Sequence, residues 1–302
     1  EGHLAHLTGD RYRNRAVTDV FEPGSTIKPF TVAAAIKTGK FHPDTLIDTT
    51  PGYYQISGNT IRDFRNYGLI DVATIIQKSS NVGVSKIGLA LPGELLWETL
   101  SDVGFGATTG TLFPGESPGR LPFYGEWNRI EQATLSFGYG LSVTPLQMAQ
   151  AYSIIAADGV ARPLSFTKVD EPPVGQRILD ADIARQVRSM LEGVVAEAGT
   201  GTRAQVAGYR VAGKTGTVRK PIPGGYSTDK YTAIFAGMAP ASRPRLVMIT
   251  VIDQPRGDTY YGGTVAAPVF SRVMAGALRL LDIPPDAVDE NQIQLAEAPG
   301  TP

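Results

Sequence analysis

The sequence predicts a mixed α+β domain, with an antiparallel sheet flanked by helices and a helical subdomain. Apolar residues at helical spacing recur between residues 25 and 196, and three strand-like runs follow at 209–219, 231–239 and 245–253. The stretches that connect these runs contain Pro and Gly, which is typical of an antiparallel meander. An apolar helix at 265–281 completes the domain.

The composition limits the chemistry that this chain can perform. Of 302 residues, 42% are hydrophobic and 19% are charged, and the formal net charge of −1 argues against a nucleic-acid partner. The absence of cysteine excludes disulfides, thiolate zinc sites and a cysteine nucleophile. The three histidines, His3, His6 and His42, all lie near the start, so we expect no metal site, no cofactor and no Ser-His-Asp triad. No apolar run approaches the roughly 18–20 residues that span a bilayer.

The elements before the sheet are predicted from periodicity and turn signals. A helix that begins at Ser25 ends at Gly39, and a small hairpin pairs residues 53–56 with 60–63. Further helices are predicted at 70–78, 82–91, 94–103, 144–157 and 183–196. Residues 1–21 are polar and contain no clear strand, and 284–302 are typical of a mobile tail. We therefore place the domain at 1–285 and the tail at 286–302.

Ser25 and Lys28 lie at the start of the first helix, just after a chain-breaking Pro-Gly pair. Because they are three residues apart, their side chains share one helix face, and the positive helix end favours developing negative charge. A hydroxyl beside a neutral amine has what a nucleophile requires. The alternative is an ordinary serine helix cap with a solvated lysine.

Two further motifs carry suitable chemistry. Ser79-Ser80-Asn81 lies between two helices, where Ser79 could pass a proton and Asn81 could hold a lysine or a substrate amide. Lys214-Thr215-Gly216-Thr217 lies in a strand that could pair with an extended peptide while its Thr and Lys side chains bind a carboxylate. Gly216 would let the substrate backbone come close. Each motif alone also fits a helix cap or a plain strand.

The order of the three motifs selects Ser25. Ser-x-x-Lys recurs at Ser165 and Ser227, but no Asn lies between Ser165 and Lys214, and no Lys-Thr-Gly follows Ser227. An earlier Lys-Thr-Gly at 37–39 is better explained as a helix end. Only Ser25 is followed by both other motifs, and this conjunction is far more specific than its parts.

With the residues around them, these motifs resemble those of class B penicillin-binding proteins of the septal transpeptidase type. The resemblance rests on residues 22–29, 78–83, 137–140 and 212–217 and extends from about Arg13 to about Pro285. It implies the fold shared by penicillin-binding proteins and serine β-lactamases. It also implies a serine D,D-transpeptidase that cross-links peptidoglycan stem peptides and is acylated and inhibited by β-lactam antibiotics.

The resemblance assigns a role to each residue of the first two motifs. Ser25 attacks the D-Ala-D-Ala carbonyl and forms the acyl-enzyme. Lys28 is the base, and nearby Lys214 keeps it neutral by disfavouring a second positive charge. Ser79 relays the proton to the leaving amine, and Asn81 holds Lys28 and the substrate amide.

The third motif and several aromatic residues are assigned to substrate binding. Thr215 and Thr217 bind the terminal carboxylate, and the backbone N–H groups of Ser25 and Thr217 form the oxyanion hole. Arg219 could assist, since it points to the same strand face as Thr217. Candidates for an aromatic wall around the cleft are Tyr139, Tyr231, Tyr260 and Tyr261.

Two other functions remain open from the sequence. A hydrolase, either a D,D-carboxypeptidase or a β-lactamase, would need a group such as a glutamate to activate water for deacylation. Glu94, Glu98, Glu126 and Glu131 are available, none in a recognisable context. A β-lactam-binding sensor or an inactive division scaffold is the second alternative, although no motif residue has been lost.

The family normally has two strands before the first motif, and residues 1–21 do not resemble them. Without them the strand at 245–253 would present an open apolar edge, which natural proteins avoid. We therefore expect these strands, a pedestal domain and a membrane anchor to lie outside this chain. The resemblance places the enzyme on the periplasmic side of the bacterial inner membrane, where it acts with a membrane glycosyltransferase and division proteins through regions absent here.

Overall fold

The structure is a computed structural model that describes residues 13–287. Its helices are α1 (Arg15–Thr18), α2 (Lys28–Lys37), α3 (Val72–Lys78), α4 (Asn81–Leu89), α5 (Gly93–Asp102), α6 (Arg129–Leu135), α7 (Pro145–Ala156), α8 (Ala181–Val195), α9 (Gly262–Val265) and α10 (Ala267–Leu280). Single 3₁₀ turns occupy Gly24–Ile27, Tyr124–Glu126 and Thr202–Ala204. The predicted helices are all present within a few residues of their expected bounds.

The strands form one main sheet and three two-stranded ribbons. The ribbons pair β1 (Leu46–Asp48) with β4 (Leu69–Asp71), β2 (Tyr53–Ile56) with β3 (Asn59–Arg62), and β5 (Val160–Ala161) with β6 (Gln176–Arg177). The main sheet contains β7 (Ala212–Ile222), β8 (Gly225–Ala239) and β9 (Leu246–Asp253) in the order β7-β8-β9. All pairings are antiparallel, which confirms the predicted α+β class and meander.

The β7–β8 hairpin is longer than the sequence predicts. Residues 221–226 were expected to be a connection, but Pro221 pairs with Tyr226, and Ile222 pairs with Gly225. The ladder is irregular between Arg219 and Pro221, where its register shifts. The pairing therefore continues past this irregularity, and the hairpin extends well beyond the Lys-Thr-Gly motif.

Helix α2 lies at the centre of the larger hydrophobic core. Nine of its ten residues are buried, including three consecutive alanines that let neighbouring helices approach closely. A helix that is apolar on nearly all sides is a core helix. The first motif is thus attached to the most buried helix of the domain.

The main sheet is covered on both faces. In β8, Ala236 and Met238 belong to the core that surrounds α2, whereas Phe235 and Ala239 belong to a second cluster with Phe270 of α10. This alternation follows from the two-residue period of a strand. The helix predicted at 265–281 is present as α10, whereas the short α9 before it was not predicted. The two are separate because Pro268, in the first turn of α10, lacks the N–H that a continuous helix would need.

The small hairpin predicted near residue 57 is confirmed. Tyr53 pairs with Arg62 and Ile56 pairs with Asn59 around a two-residue turn. Both turn residues have positive φ, 48° at Ser57 and 80° at Gly58, as a tight hairpin turn requires. This hairpin leads directly into the candidate active site.

The ends of the described chain bear on two earlier expectations. Residues 13–21 contain α1 and one isolated bridge between Phe21 and Val143, and no strand of the main sheet. A cavity of about 820 Å³ lies between this segment, β7 and β9.

At the other end of the described chain, Asp286 Oδ1 accepts a hydrogen bond from Arg210 N at 2.7 Å. Most of the predicted tail lies outside the described residues. Among residues 13–287, no helix combines the length and apolar character needed to cross a membrane.

Candidate active site

Ser25 lies in a 3₁₀ turn that leads into α2, where its side chain is half-buried. The serine-cap alternative does not hold, because Pro23 is the N-cap of this turn and Ile27 is the N-cap of α2. Gly24 has φ of +52°, and an added Cβ would collide with Val218 of β7. The glycine therefore lets the nucleophile turn approach the main sheet.

Lys28 connects the first two motifs. Its side chain is 0% exposed. Its amine donates to Ser79 O at 2.6 Å, to Ser79 Oγ at 3.1 Å and to Asn81 Oδ1 at 2.8 Å. The structure thus brings together residues that lie 51 and 53 positions apart in the chain.

Burial and a neighbouring amine keep Lys28 available as a base. Burial lowers the pKa of Lys28 well below its usual 10.5, the charge of Lys214 lowers it further, and Asp63 opposes both. Lys214 is also 0% exposed, and burial lowers its pKa to about 7. A lowered pKa increases the share of the unprotonated amine, the form that can accept a proton from a hydroxyl.

In the Ser79-Ser80-Asn81 turn, the middle residue is the N-cap of the following helix. Ser79 ends α3 with φ of +61°, an uncommon conformation for a non-glycine residue. Ser80 caps α4 by accepting a hydrogen bond from Gly83 N at 2.8 Å. The Ser79 hydroxyl and the Asn81 amide therefore remain free to contact Lys28.

Asp63 is a site residue that the sequence did not reveal. Its Oδ1 accepts hydrogen bonds from Asn81 N at 2.5 Å and Val82 N at 3.0 Å, and its Oδ2 accepts one from Ser80 Oγ at 2.6 Å. Asn81 Nδ2 also donates to Arg62 O at 3.2 Å. The end of the β2–β3 hairpin thus fixes the Ser-x-Asn turn. Asp63 was predicted only as part of a strand.

In the third motif, two threonines lie on one face of β7 and Lys214 lies on the other, as strand alternation requires. The Thr215 hydroxyl is 2.7 Å from that of Thr200. Thr217 Oγ1 accepts a hydrogen bond from Gly262 N at 2.9 Å. The Thr217 hydroxyl keeps its own proton, which it can donate to an anionic ligand.

The neighbours of Gly216 differ from those expected. An added Cβ would lie 3.1 Å from Thr26 Cγ2 and 3.3 Å from both Pro23 O and Ile234 Cβ. The space that we had assigned to the substrate backbone is thus bounded by the chain itself. A side chain at this position would be crowded, because the nucleophile turn packs directly on β7.

The four candidate tyrosines fall into two groups. Tyr231 stacks on Tyr260 with centroids 3.9 Å apart, and Tyr260 stacks on Tyr261 at 4.6 Å. Tyr139 instead packs edge-on against Tyr226 at 5.5 Å, a partner that the sequence did not suggest. The stacked group lies beside Thr217, because Gly262, its donor, directly follows Tyr261.

The Arg219 side chain is exposed, two residues beyond Thr217. Arg219 pairs with Tyr231 across the β7–β8 ladder, next to the tyrosine stack. Its backbone is hydrogen-bonded to Tyr139. Arg219 thus lies between the two aromatic groups.

Lys214→Met should stabilise the fold at neutral pH. The unfolded chain binds a proton at Lys214 up to about pH 10.5, whereas the folded protein releases it at about pH 7. At about 1.4 kcal/mol per pKa unit, the buried lysine costs on the order of 2–5 kcal/mol. The gain in free energy of unfolding should be full below about pH 7 and should vanish toward pH 10.5. Thermal unfolding from pH 6 to pH 10 measures it, and a gain that does not change with pH contradicts the prediction.

Together these contacts suit acyl transfer. The site combines a half-buried serine in a 3₁₀ turn, a buried amine with a lowered pKa, a second hydroxyl and threonines on an adjacent strand. These are the parts of a nucleophile with its base and a carboxylate site. Two of the glutamates considered for a hydrolase have structural contacts: Glu94 accepts from Tyr124 OH at 3.0 Å, and Glu131 completes the capping box of α6.

Comparison with known proteins agrees with this geometry. Residues 3–275 match the family described as penicillin binding protein transpeptidase domain. The chain is 46% identical to peptidoglycan D,D-transpeptidase FtsI of Escherichia coli K12 over 99% of its length and 51% of that protein. It is 44% identical to probable peptidoglycan D,D-transpeptidase PenA of Neisseria gonorrhoeae over 91% of its length and 47% of that protein.

A solved structure matches as well. The apo transpeptidase domain of Burkholderia pseudomallei penicillin-binding protein 3 superposes with a TM-score of 0.88 at 44% identity, covering 91% of this chain and 84% of that one. The chain spans about half the length of the curated relatives named above. It belongs to the penicillin-binding protein transpeptidase domain family and has its α+β fold.

Proposed function

We propose that this domain is a serine D,D-transpeptidase that cross-links peptidoglycan stem peptides through an acyl-Ser25 intermediate and is inhibited by β-lactams. The observation that carries the proposal is the Lys28 amine, which is fully buried, has a lowered pKa and contacts both Ser79 and Asn81. Lys28 lies three residues after a half-buried serine in a 3₁₀ turn, where it can act as the base for that serine.

The hydrogen bonds of Lys28 suggest how the proton moves. A neutral amine has two N–H groups, and Ser79 O and Asn81 Oδ1, its two nearest acceptors, bind them. The lone pair then accepts the Ser25 proton while Oγ attacks the D-Ala-D-Ala carbonyl. The resulting ammonium has a third N–H for Ser79 Oγ at 3.1 Å, through which the proton passes to the leaving D-Ala amine.

The face of β7 beside Ser25 would bind the rest of the donor peptide. Thr215 and Thr217 would bind its terminal carboxylate with help from Arg219, while Asn81 would hold the peptide amide. Backbone N–H groups of Ser25 and Thr217 would stabilise the oxyanion, at about 3–4 kcal/mol per donor.

The aromatic groups would form the sides of the cleft. The stack of Tyr231, Tyr260 and Tyr261 would flank the carboxylate site, because it adjoins Thr217 through Gly262. Tyr139 would flank the nucleophile turn from the other side.

The second half of the reaction is attack on the acyl-enzyme by an amine of a neighbouring stem peptide. This forms the cross-link and restores Ser25. We favour this over hydrolysis because the curated relatives are named as transpeptidases. In addition, Glu94 is hydrogen-bonded to Tyr124 and Glu131 caps α6, so neither is placed to activate water at Ser25.

The proposal extends to location and partners. Peptidoglycan lies outside the bacterial inner membrane, so the domain would act on the periplasmic side. Septal cross-linking would require a membrane glycosyltransferase and division proteins. The named FtsI relative is consistent with this assignment.

Intact-mass spectrometry with a penicillin tests the proposal. Wild type should gain one penicillin mass that persists for minutes, and Ser25→Ala should gain none. Ser165→Ala is the matched control, because it removes the serine of an exposed Ser-x-x-Lys and should keep the adduct. An adduct that vanishes within seconds would support a β-lactamase, and an adduct on Ser25→Ala would overturn the assignment.

A further inference from the structure

A half-buried glutamate, Glu22, lies three residues before Ser25. Its Oε1 accepts hydrogen bonds from Gly140 N at 2.8 Å and from Tyr226 OH at 3.0 Å. Its Oε2 is buried and has no hydrogen-bond partner among the described residues. Burial raises the pKa of Glu22, which favours the neutral form of the carboxyl group.

The two donors come from separate parts of the fold. Tyr226 is the second residue of β8, near the tip of the β7–β8 hairpin, and Gly140 belongs to the turn that follows α6. The same turn approaches the nucleophile turn directly, since Gly24 N donates to Gly138 O at 3.0 Å. Glu22 therefore joins the hairpin tip, the 138–140 turn and the segment that carries Ser25.

Strand pairing alone leaves the hairpin tip weakly fixed. The ladder shifts register between Arg219 and Pro221, and Pro221 and Tyr226, which pair beyond the shift, are both exposed. The hydrogen bond that Tyr226 OH donates to Glu22 Oε1 spans 204 residues of sequence and connects the tip to the segment that carries Ser25. The edge-on packing of Tyr139 against Tyr226 lies beside it.

We propose that Glu22 is a positioning residue that fixes the β7–β8 hairpin, and with it Thr215 and Thr217, relative to Ser25. The proposal rests on the proposed function, because acylation is the reaction that this alignment serves. Glu22 touches none of the reacting groups. It acts by holding the carboxylate-binding strand and the nucleophile turn in one geometry, where a displacement of about 1 Å costs on the order of 100-fold in rate.

Three variants separate this role from simple stabilisation. Glu22→Ala removes the acceptor of both bonds, whereas Glu22→Gln keeps one accepting oxygen in a neutral group of the same shape. Tyr226→Phe removes only the hairpin bond and keeps the ring that packs on Tyr139. Tyr209→Phe is the matched control, since it loses one phenol hydrogen bond, to Ile283 O at 2.6 Å, three residues before β7 begins.

The experiment measures penicillin acylation and backbone hydrogen exchange for the wild type and the four variants. We expect Glu22→Ala and Tyr226→Phe to lose about 10-fold or more in second-order acylation rate, the effect of losing a hydrogen bond to a half-buried carboxyl group. Exchange should rise at residues 220–230. Glu22→Gln should restore both readouts to within about threefold, and Tyr209→Phe should change neither.

The outcomes distinguish the two proposals. If wild type is not acylated, the proposed function fails, and the exchange data still decide whether Glu22 fixes the hairpin. If folded Tyr226→Phe is acylated at the wild-type rate and shows wild-type hydrogen exchange at the hairpin, the positioning role is overturned. A Glu22→Ala protein that melts at a lower temperature but acylates at the wild-type rate while folded would also overturn it. If Glu22→Ala does not fold, Tyr226→Phe and Glu22→Gln still give the answer.

Discussion

Lys28→Met should lower the rate of Ser25 acylation by roughly 10²–10⁴-fold, the contribution of a positioned general base. The substituted side chain has a similar length, fits a fully buried position and carries no proton acceptor of use at neutral pH. The amine also contacts Ser79 and Asn81, so its loss removes the relay together with the base. Stopped-flow acylation with a chromogenic cephalosporin measures the effect.

The fold should survive this change. A buried lysine whose pKa is lowered by desolvation destabilises the folded state relative to an apolar residue of the same size, so the melting temperature should not fall. Lys37→Met, at the exposed end of the same helix, is the matched control and should acylate normally. A folded Lys28→Met protein that acylates Ser25 at the wild-type rate would show that another group is the base.

Local patterns predicted the elements that carry the motifs. The hairpin turn at residue 57, the end of α2 at Gly39 and the start of α7 at Pro145 all follow from turn and capping chemistry within a few residues. Motif order then selected Ser25 among three Ser-x-x-Lys candidates. These signals are short-range, so the sequence can show them.

The residues that support the motifs could not be found in this way. Asp63 contacts residues 17 to 19 positions away, and Glu22 contacts Tyr226 across 204 positions. No spacing rule marks such pairs, because tertiary packing alone creates them. Gly216 shows the same limit: a glycine in a strand signals a close approach, but only the structure shows that Thr26 and Pro23 are what approaches.

The Ser79-Ser80-Asn81 turn shows a finer limit. The sequence indicated a helix boundary here, and both capping and catalytic roles fitted the serines. Capping falls to Ser80, since its hydroxyl reaches Gly83 N, while Ser79 adopts a positive φ. Assigning the two serines required backbone angles that neighbouring residue types do not determine.

Asp63→Asn and Lys214→Met should shift the pH profile of acylation in opposite directions. The acid limb of the profile reports deprotonation of Lys28. Asp63 raises the pKa of Lys28 and Lys214 lowers it. Asp63→Asn should therefore move the acid limb to lower pH. Lys214→Met should move it to higher pH, because the like charge that Lys214 carries below about pH 7 is gone.

Asp63→Asn is a near-isosteric test of charge, because the amide oxygen can still accept from Asn81 N and Val82 N while its NH₂ can donate to Ser80 Oγ. Asp71→Asn, at the cap of α3, is a control for an ordinary capping aspartate and should leave the profile in place. Second-order acylation rates from pH 5 to pH 9 locate the limb for each protein. If both variants shift it in the same direction, or neither shifts it, the titrating group is not Lys28. Opposite shifts would show that the pKa of the base is set by the balance between a carboxylate on the β2–β3 hairpin and an amine on β7.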